Sequence, residues 1–468
     1  MLSSILLAAT LQFGSPVNFP MTLAGNFGEP RPNHFHGGID VRTGMSVGKP
    51  IFAIAEGYVS RITVSLGGFG NALYVCHPNG YTSVYCHLNK FAPPIRAQVS
   101  RYRHEHGQKD IIDAYRSSSA PVDIRLKPTD CPVALGQLIA VSGNTGSSEA
   151  PHLHLEMHDS QTNDMVDPLD FLKEFMKDTT PPVAHAFKAY PVEGKGIFCE
   201  NSAQQTFTLT SHHLNRIFTA WGEVGFGIWA NDYMEEAYGR YGIRKTELKV
   251  DGQTVFKSNV DNIPMLKNRM VNSWGDFEHF LRMKVWYMKS FIQPGNSLPV
   301  LQADENRGIV KFNREKVYHI EYALTDIYGN ESKYTFSVKG KKQPLPSHKP
   351  RHAPWVLRWN KVNNFQMPGI QLLVRKGLLP DDVQLRPEIT KGTKGYSNAC
   401  KFTATACPLF NWAELSLKLK KPVNDPSRLC IVGNNGKVYK AKYHNGWITA
   451  HVRELGVTYE IDNQITDK

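Results

Sequence analysis

Short apolar segments broken by glycine, proline and asparagine constrain this chain most strongly, because they favour strands over long helices. Between residues 13 and 175 a turn signal recurs every ten or so residues, and examples of the segments between these signals are 50–55, 57–64 and 72–75. Their β-branched and aromatic side chains are typical of strands. The sequence predicts a mostly antiparallel sheet, with helices only at 105–116 and 168–177.

The chain is long enough for several domains, since its 468 residues exceed the usual size of one domain. Pro181 and Pro182 cannot continue a preceding helix, so we place a boundary there. The sequence predicts a mostly β protein that begins with a β domain at 13–177 and continues with two β-sandwich-like modules. The expected parts after the first domain are an Ig-like sandwich at 183–340, a proline-rich linker at 341–354 and a β module at 355–468.

Turn residues predict specific hairpins. Asp251-Gly252 should join strands at 247–250 and 253–256, and 328–330 should join strands at 316–325 and 333–338. A two-residue Asn79-Gly80 loop would pair Cys76 with Ser83. The thiols of Cys76 and Cys86 would then point to opposite faces and could not bridge. Of the seven cysteines, Cys400 and Cys407 could form a local pair or remain free thiols, and both interpretations stay open.

The excess of positive charge lies in the last quarter of the chain. Residues 341–468 contain 21 Lys+Arg and 9 Asp+Glu, and this difference of +12 equals the net charge of the whole chain. Either this module is attracted to an anionic envelope surface, or the charges form a solvated face that aids solubility. The aromatic interleaving of a nucleic-acid-binding module is missing, so we expect no specific nucleic acid partner.

Residues 1–10 are apolar and end in small side chains. We expect 1–12 to be a truncated export signal, although it has no basic start. The apolar run is far shorter than the roughly 20 residues that a membrane span requires. We expect no transmembrane span elsewhere in the chain.

Two segments contain residues suited to metal chemistry. The first is His36-Gly37-Gly38-Ile39-Asp40, where paired glycines favour a tight turn into a strand rather than a helix. The second is Pro151-His152-Leu153-His154-Leu155-Glu156, where strand alternation places both histidines on one face and both leucines in the core. Histidine nitrogen and carboxylate oxygen are both zinc donors.

Other histidines are weaker candidates. His87 ends an apolar segment, Tyr85-Cys86-His87-Leu88, and is the third piece of the pattern. His34 could share a strand face with His36 and is kept as a minor alternative ligand. We expect the remaining candidates to be exposed and without a metal: His77, His104, His106, His158, His212 and His213.

Together and in this order, the segments resemble the lysostaphin/LytM-type zinc metallopeptidases. The resemblance covers about 24–172 and includes Phe27-Gly28 with Arg31 before HxGxD, then YxHL, then GNTGxS followed by PHLHLE. The run from Asn26 to His36 is most similar to the envelope peptidases of Bacteroidetes-type bacteria. The resemblance implies the family's duplicated hybrid-motif fold for 13–177.

The resemblance also implies roles for five residues. His36, Asp40 and His154 would bind one Zn²⁺ per chain and leave a fourth position open, as a catalytic zinc requires. His87 and His152 would be catalytic histidines that flank the water, in an order that stays undecided. The implied activity is hydrolysis of peptidoglycan stem-peptide cross-links, D-Ala–meso-diaminopimelate, in the periplasm or cell envelope of a Gram-negative bacterium.

The sequence departs from the family pattern at two places, and it leaves one rival function. Cys86 replaces a small residue before the active-site histidine, where it could narrow the cleft, bind metal or simply pack. An insertion at about 94–131 could form a lid or wall, or be an inert surface excursion. The rival function is an inactive LytM-like scaffold that binds or activates a peptidoglycan amidase.

Overall fold

The computed structural model describes residues 11–108, 121–235, 239–346 and 355–463. We refer to 11–177, 183–340 and 355–463 as the first, second and third domains. The mostly β fold class is confirmed, because strands form most of the regular structure in all three domains. The expected signal segment lies almost wholly outside the described residues, and so does most of the linker at 341–354.

The first domain is built on a central antiparallel sheet. Its order is β1-β4-β13-β8-β7-β6-β10, and β11 and β14 pair at its sides. A small second sheet has the order β5-β12-β9. Strands β1 to β14 are Leu23–Gly25, Pro30–Arg31, His34–Phe35, Gly38–Arg42, Pro50–Phe52, Gly57–Val64, Ala72–Cys76, Tyr81–Cys86, Lys90–Phe91, Val122–Arg125, Pro132–Val133, Leu138–Val141, His152–Asp159 and Met165–Val166.

Two helices cover parts of this domain. Helix α1 is Pro93–Glu105, and α2 is Leu169–Leu172, followed by a 3-10 turn at Lys173–Phe175. Helix α1 ends at Glu105, where the sequence predicted that a helix would begin. It begins earlier, at Pro93, because prolines fit the first helical turn, whose N–H groups need no partner in the helix. The predicted continuation at 109–116 lies outside the described residues. The second predicted helix is present but shorter.

The β7–β8 hairpin corrects the predicted register. The loop has three residues, Pro78 to Gly80, because His77 and Tyr81 form the closing pair and Gly80 takes a positive φ of 85°. Cys76 therefore pairs with Thr82 rather than Ser83. Four positions separate Thr82 from Cys86, so the two cysteines share a face, and the argument from opposite faces is wrong. All seven cysteines are nevertheless free thiols.

The second domain contains one continuous sheet of ten strands, ordered β16-β15-β17-β25-β24-β18-β19-β22 with β21 and β23 on β17. An Ig-like sandwich divides its strands between two sheets, whereas here a single curved sheet encloses the core. Strands β15 to β25 are Val183–Phe198, Gln205–Thr208, His213–Asn231, Lys245–Val250, Gln253–Asn259, Asn262–Ile263, Met288–Lys289, Leu301–Ala303, Val310–Phe312, Val317–Thr325 and Glu331–Gly340. Both predicted hairpins are confirmed.

The second domain also contains short helical turns, and it packs against the first domain. They comprise a 3-10 helix at Met265–Met270, α3 at Val271–Trp274 and α4 at Phe277–Met283. Strand β14 of the first domain pairs with β20 of the second. Phe27 and Phe35 of the first domain are buried in the same apolar core as the second-domain strands. The first two domains are therefore packed through a shared core.

The third domain has a nine-stranded sheet of order β27-β28-β32-β35-β34-β33-β36-β31-β30, with β26 paired to β29. It has its own apolar core. Strands β26 to β36 are Trp355–Leu357, Asn363–Met367, Ile370–Val374, Val383–Leu385, Glu388–Lys391, Asn398–Lys401, Pro408–Lys418, Cys430–Gly433, Val438–His444, Trp447–Glu454 and Tyr459–Asp462. None of the helices in the described residues is long and apolar enough to cross a bilayer.

Candidate metal centre

Neighbouring strands bring the candidate residues together at the middle of the first sheet. Strand β13 lies between β4 and β8, and His154 pairs with Asp40 on one side and with Cys86 on the other. His87 follows β8 directly. Because adjacent strands are only about 4.8 Å apart, three segments distant in sequence meet at one point.

Glycine is required where β4 approaches β13. A Cβ atom at Gly38 would lie 2.2 Å from the carbonyl oxygen of Leu155, which is main chain and cannot move aside. A Cβ at Gly37 would lie 2.6 Å from Glu156 Oε1. The two glycines thus allow the strand that bears Asp40 to sit against the strand that bears His154.

His36, Asp40 and His154 form a compact set of three donor atoms. His36 Nε2 lies 3.0 Å from Asp40 Oδ1 and 3.1 Å from His154 Nδ1, and His154 Nδ1 lies 2.8 Å from Asp40 Oδ1. Ligand atoms of a tetrahedral zinc, each 2.0–2.1 Å from the ion, are roughly 3.3 Å apart. The donor set therefore fits one zinc ion, and all three side chains are buried.

Each donor is oriented by a further hydrogen bond. His36 Nδ1 donates to the carbonyl of Asn26 at 2.6 Å, which leaves Nε2 as the donor atom for a metal. Arg31 donates to Asp40 Oδ2 at 2.9 Å, so Oδ1 faces the imidazoles. Such outer partners fix the tautomer and ring orientation of metal-binding histidines.

His154 is held by a buried chain of polar groups that the sequence reading missed. Its Nε2 lies 2.9 Å from Glu156 Oε1, and Glu156 Oε2 lies 2.6 Å from His158 Nε2. The prediction that His158 is exposed was wrong, since only 4% of it is accessible. Positions 154, 156 and 158 share one face of the strand. The same two-residue alternation that linked His152 to His154 would therefore have predicted that Glu156 and His158 lie beside them.

His77 is a second correction. It was expected to be exposed, but it is 3% accessible, with Nε2 2.8 Å from Ser83 Oγ and Nδ1 2.8 Å from the carbonyl of Glu56. Its hydrogen bonds tie the β7–β8 hairpin to the preceding loop. This position is structural and lies outside the donor set.

The electrostatics of the donor set depend on burial and on the paired carboxylates. Burial lowers the pKa of His36 to about 4, although Asp40 opposes the shift. Burial also disfavours charge on His154, but hydrogen bonds to Asp40 and Glu156 outweigh it and raise its pKa to about 9. Burial raises the pKa of Asp40, yet the neighbouring imidazoles lower it far below its usual range. Without a metal, a proton is therefore held on His154 between two carboxylates, and a metal ion would replace it.

His87 and His152 stand beside the donor set with their rings 4.9 Å apart. His87 Nδ1 donates to the carbonyl of Thr145 at 2.8 Å, and His152 Nδ1 donates to the carbonyl of Ala150 at 2.7 Å. His87 Nε2 is thereby left as an acceptor, whereas His152 Nε2 lies 3.4 Å from Asp40 Oδ1 and faces the donor set. Burial, together with the charge of His154, lowers the pKa of His87 to about 4. The structure thus brings all five predicted site residues together.

The donor set opens into a groove of about 740 Å³. Met265 and Asn268 of the second domain form part of its wall. None of the described residues in the insertion, 94–108 and 121–131, lines the groove. His34 lies at its rim, exposed and bonded to Pro32, and is outside the donor set.

The other predicted positions lie outside the groove. Cys86 is fully buried against Ala72 and Val84, so it packs rather than narrowing the groove. His104 and His106 are exposed at the end of α1, as expected. His212 and His213 are exposed on the second domain, also as expected.

A buried set of two imidazoles and one carboxylate, flanked by two further imidazoles, defines a candidate mononuclear metallohydrolase centre. Residues 34–101, which contain His36, Asp40 and His87, match the family model of Peptidase family M23. Part of the first domain thus matches this family, and the resemblance to lysostaphin/LytM-type peptidases is confirmed. Residues 355–463 match the model of the Zu5-like domain.

A curated relative supports this assignment. A protein of Haemophilus influenzae described as an uncharacterized metalloprotease is 30% identical over 123 residues. The match spans 26% of this chain and only 18% of that relative.

Solved structures similar to this chain include two peptidase domains. The catalytic domain of lysostaphin from Staphylococcus simulans is 25% identical, with 32% of this chain and 90% of that chain covered and a TM-score of 0.22. A zinc-containing peptidase from Vibrio cholerae is 24% identical, with 33% of this chain and 39% of that chain covered and a TM-score of 0.23.

Proposed function

We propose that the protein is a zinc-dependent endopeptidase that hydrolyses the peptide cross-links of peptidoglycan. The observation that carries the proposal is the convergence of His36, Asp40 and His154 beside His87 and His152 at the bottom of an open groove. The M23 match agrees with this chemistry. For a Gram-negative envelope, the proposed scissile bond is D-Ala–meso-diaminopimelate.

The three donors would hold one Zn²⁺, and the histidines would handle protons. A bound zinc ion supplies Lewis acidity, polarising a carbonyl and lowering the pKa of water from near 16 to about 7. One of His87 and His152 would accept a proton from water through its Nε2 and pass it to the leaving amine. The other can donate a hydrogen bond to the developing oxyanion once it is protonated.

The groove and the third domain suggest where the substrate lies. The groove, with a volume of about 740 Å³, is large enough for several peptide residues, which suits a peptide substrate. We place the protein in the periplasm or cell envelope, where peptidoglycan is found. The basic excess at 341–468 would keep the enzyme near anionic envelope polymer.

Metal analysis combined with muropeptide release tests the proposal. The purified chain should contain one zinc and release cross-link fragments, whose masses identify the scissile bond. His36→Ala should lose the zinc and reduce release to background while remaining folded. His104→Ala, an exposed histidine on α1, is the matched control and should behave as wild type.

The rival scaffold function predicts a different result. If the zinc-loaded wild type releases no fragment but still binds peptidoglycan or an amidase, the hydrolase proposal is rejected. The imidazoles of His87 and His152, which flank the donor set, favour the enzyme, since a scaffold does not need proton-transfer groups beside a metal site.

A further inference from the structure

Three aspartates meet at the junction between the first and second domains, away from the M23 site. Asp178 lies in the connection after α2, Asp232 follows β17, and Asp326 opens the loop between β24 and β25. One carboxylate oxygen from each lies within 4.8 Å of the corresponding oxygens of the other two. The accessible fractions are 5%, 1% and 3%, so all three side chains are buried.

Two of these carboxylates have an oxygen without a partner. Asp178 Oδ1 accepts from Thr180 N at 2.9 Å, but its Oδ2 is buried and has no hydrogen bond. Asp232 Oδ1 is likewise buried and unpaired. Buried carboxylate oxygens are normally paired with a donor or a metal, because their desolvation is costly.

The third carboxylate is rigidly oriented by its own loop. Asp326 Oδ1 accepts from the backbone N–H groups of Tyr328, Gly329 and Asn330 at 2.7–2.8 Å. The side-chain amide of Asn330 donates to Asp326 Oδ2 at 2.6 Å and to the carbonyl of Asp178 at 3.2 Å. The loop thus holds its carboxylate against the connection that carries Asp178.

In the part of the chain that the structure describes, the charge of this cluster is not balanced by a basic side chain. Among the described residues, no basic side chain forms an ion pair with any of the three aspartates, and nearby Arg244 pairs instead with Asp167 and Asp170. Burial and the neighbouring Asp326 and Asp178 raise the pKa of Asp232 to about 8. The cluster therefore contains more negative charge than the site can keep ionised at neutral pH without a cation.

We propose that Asp178, Asp232 and Asp326 form a structural divalent-cation site for which Ca²⁺ is the fitting ion. Calcium binds oxygen ligands at 2.3–2.6 Å, so oxygens on a common ion are up to about 5 Å apart, as the spacing here allows. An all-oxygen carboxylate set disfavours zinc, which prefers nitrogen and sulfur ligands.

The site would stiffen the junction between the domains. Tyr328 Oη donates to the carbonyl of Lys173 at 3.2 Å, and Ser332 Oγ donates to the carbonyl of Pro182 at 2.6 Å. The loop that carries Asp326 and the start of β25 therefore contact both ends of the connection. A bound cation would join the connection to β17 and to this loop, and so set the position of the second domain against the M23 groove.

Calcium alone is the probe, and the full chain with its zinc retained is the sample. Calorimetric titration should show one calcium bound at the aspartate cluster, and millimolar calcium should raise the Tm by roughly 5 °C. Asp232→Asn and Asp178→Asn should each weaken calcium binding about tenfold or more, because ligand charge sets the affinity of such sites. Without calcium, both variants should be at least as stable as wild type, since each relieves like-charge repulsion.

Two controls separate this site from the M23 site and from general charge effects. Asp123→Asn, an exposed carboxylate paired with Arg61, should keep the full calcium response. His36→Ala should also keep it, because the two sites are independent. The proposal is overturned if the wild type neither binds calcium nor gains Tm, or if Asp232→Asn and Asp178→Asn respond to calcium as the wild type does.

Discussion

At the residue scale, the site depends on how His154 is held. Its ring lies between Asp40 on the metal side and Glu156 on the other, and both contacts are shorter than 3.0 Å. Burial raises the pKa of Glu156, but hydrogen bonds from His154 and His158 reverse the shift and lower it well below its usual range. Glu156 therefore favours its ionised form, which keeps a hydrogen on His154 Nε2 and leaves Nδ1 available for a metal ion.

Replacing this anion tests its positioning role. Glu156→Gln has nearly the same shape but cannot stabilise the imidazole tautomer as a carboxylate does. We expect zinc affinity and hydrolytic activity to fall about 10–100-fold, with the far-UV circular dichroism spectrum unchanged. Zinc titration against a chromogenic chelator measures the first effect.

The matched control for this variant is Glu305→Gln, an exposed glutamate on the second domain. It should bind zinc as wild type does. Equal zinc affinity in Glu156→Gln and wild type would contradict the positioning role.

At the scale of elements, two loops lock His87 beside the sheet. His87 has a positive φ of 59°, which is uncommon for a residue other than glycine. Its N–H donates to the carbonyl of Phe69 at 2.9 Å, and its ring donates to the carbonyl of Thr145. The loop with Phe69 and the loop with Thr145 touch through Gly70 and Gly146, where there is no room for a Cβ.

Gly146→Ala should disturb this contact. The positive φ of 75° costs an alanine roughly 1–2 kcal/mol, and its Cβ would lie 2.4 Å from the carbonyl oxygen of Gly68 and from Gly70 N. We expect a larger loss of unfolding free energy than the φ cost alone, together with a reduced kcat because His87 moves. Chemical denaturation and steady-state kinetics measure the two effects.

Gly80→Ala separates the cost of a strained backbone from the cost of a steric clash at the added Cβ. Gly80 has a similar φ of 85°, but a Cβ there would meet nothing within 4 Å. For this control, the unfolding free energy should fall only by the cost of a positive φ for alanine, and kcat should stay at the wild-type value. If both variants behave alike, the loop contact has no role in placing His87.

At the scale of the whole molecule, the second domain supports the segment that precedes His36. Asn268 Oδ1 accepts from Phe35 N at 2.6 Å, and Asn272 exchanges two hydrogen bonds with Asn33 at 3.0 and 3.1 Å. Asn268 also lines the groove. The second domain therefore completes the wall of the groove in the first domain.

The double variant Asn268→Ala/Asn272→Ala tests this dependence. It removes three hydrogen bonds, each contributing about 1 kcal/mol, so the unfolding free energy should fall by about 3 kcal/mol. The freed segment should raise KM more than it lowers kcat, and the zinc content should stay at one per chain. Kinetics on a soluble cross-linked peptide and metal analysis provide the readouts.

An exposed asparagine on the third domain is the control for the double variant. Asn364→Ala should change neither stability nor KM. Loss of zinc from the double variant would show instead that the second domain supports the metal ligands themselves.

Much of the fold and of the metal centre could be predicted from the sequence because the deciding signals are local. Alternation along 152–156 sets which side chains share a face, and paired glycines at Gly37 and Gly38 mark the strand start that carries Asp40. The Asp251-Gly252 turn predicts its hairpin because few other residues accept two positive φ values. These features follow from one segment at a time, and the structure agrees with them.

The remaining features depend on contacts between distant segments, so only the tertiary structure decided them. Strand order placed β13 between β4 and β8, and only that order buries His158 behind Glu156 and brings His87 beside His152. The loop at Pro78 to Gly80 took three residues instead of two, because hydrogen bonds of His77 to the neighbouring loop fixed its closing pair. The aspartate cluster has no motif at all, since its members are separated by 54 and 94 positions. Local chemistry sets what each segment can do, whereas packing alone sets which segments meet.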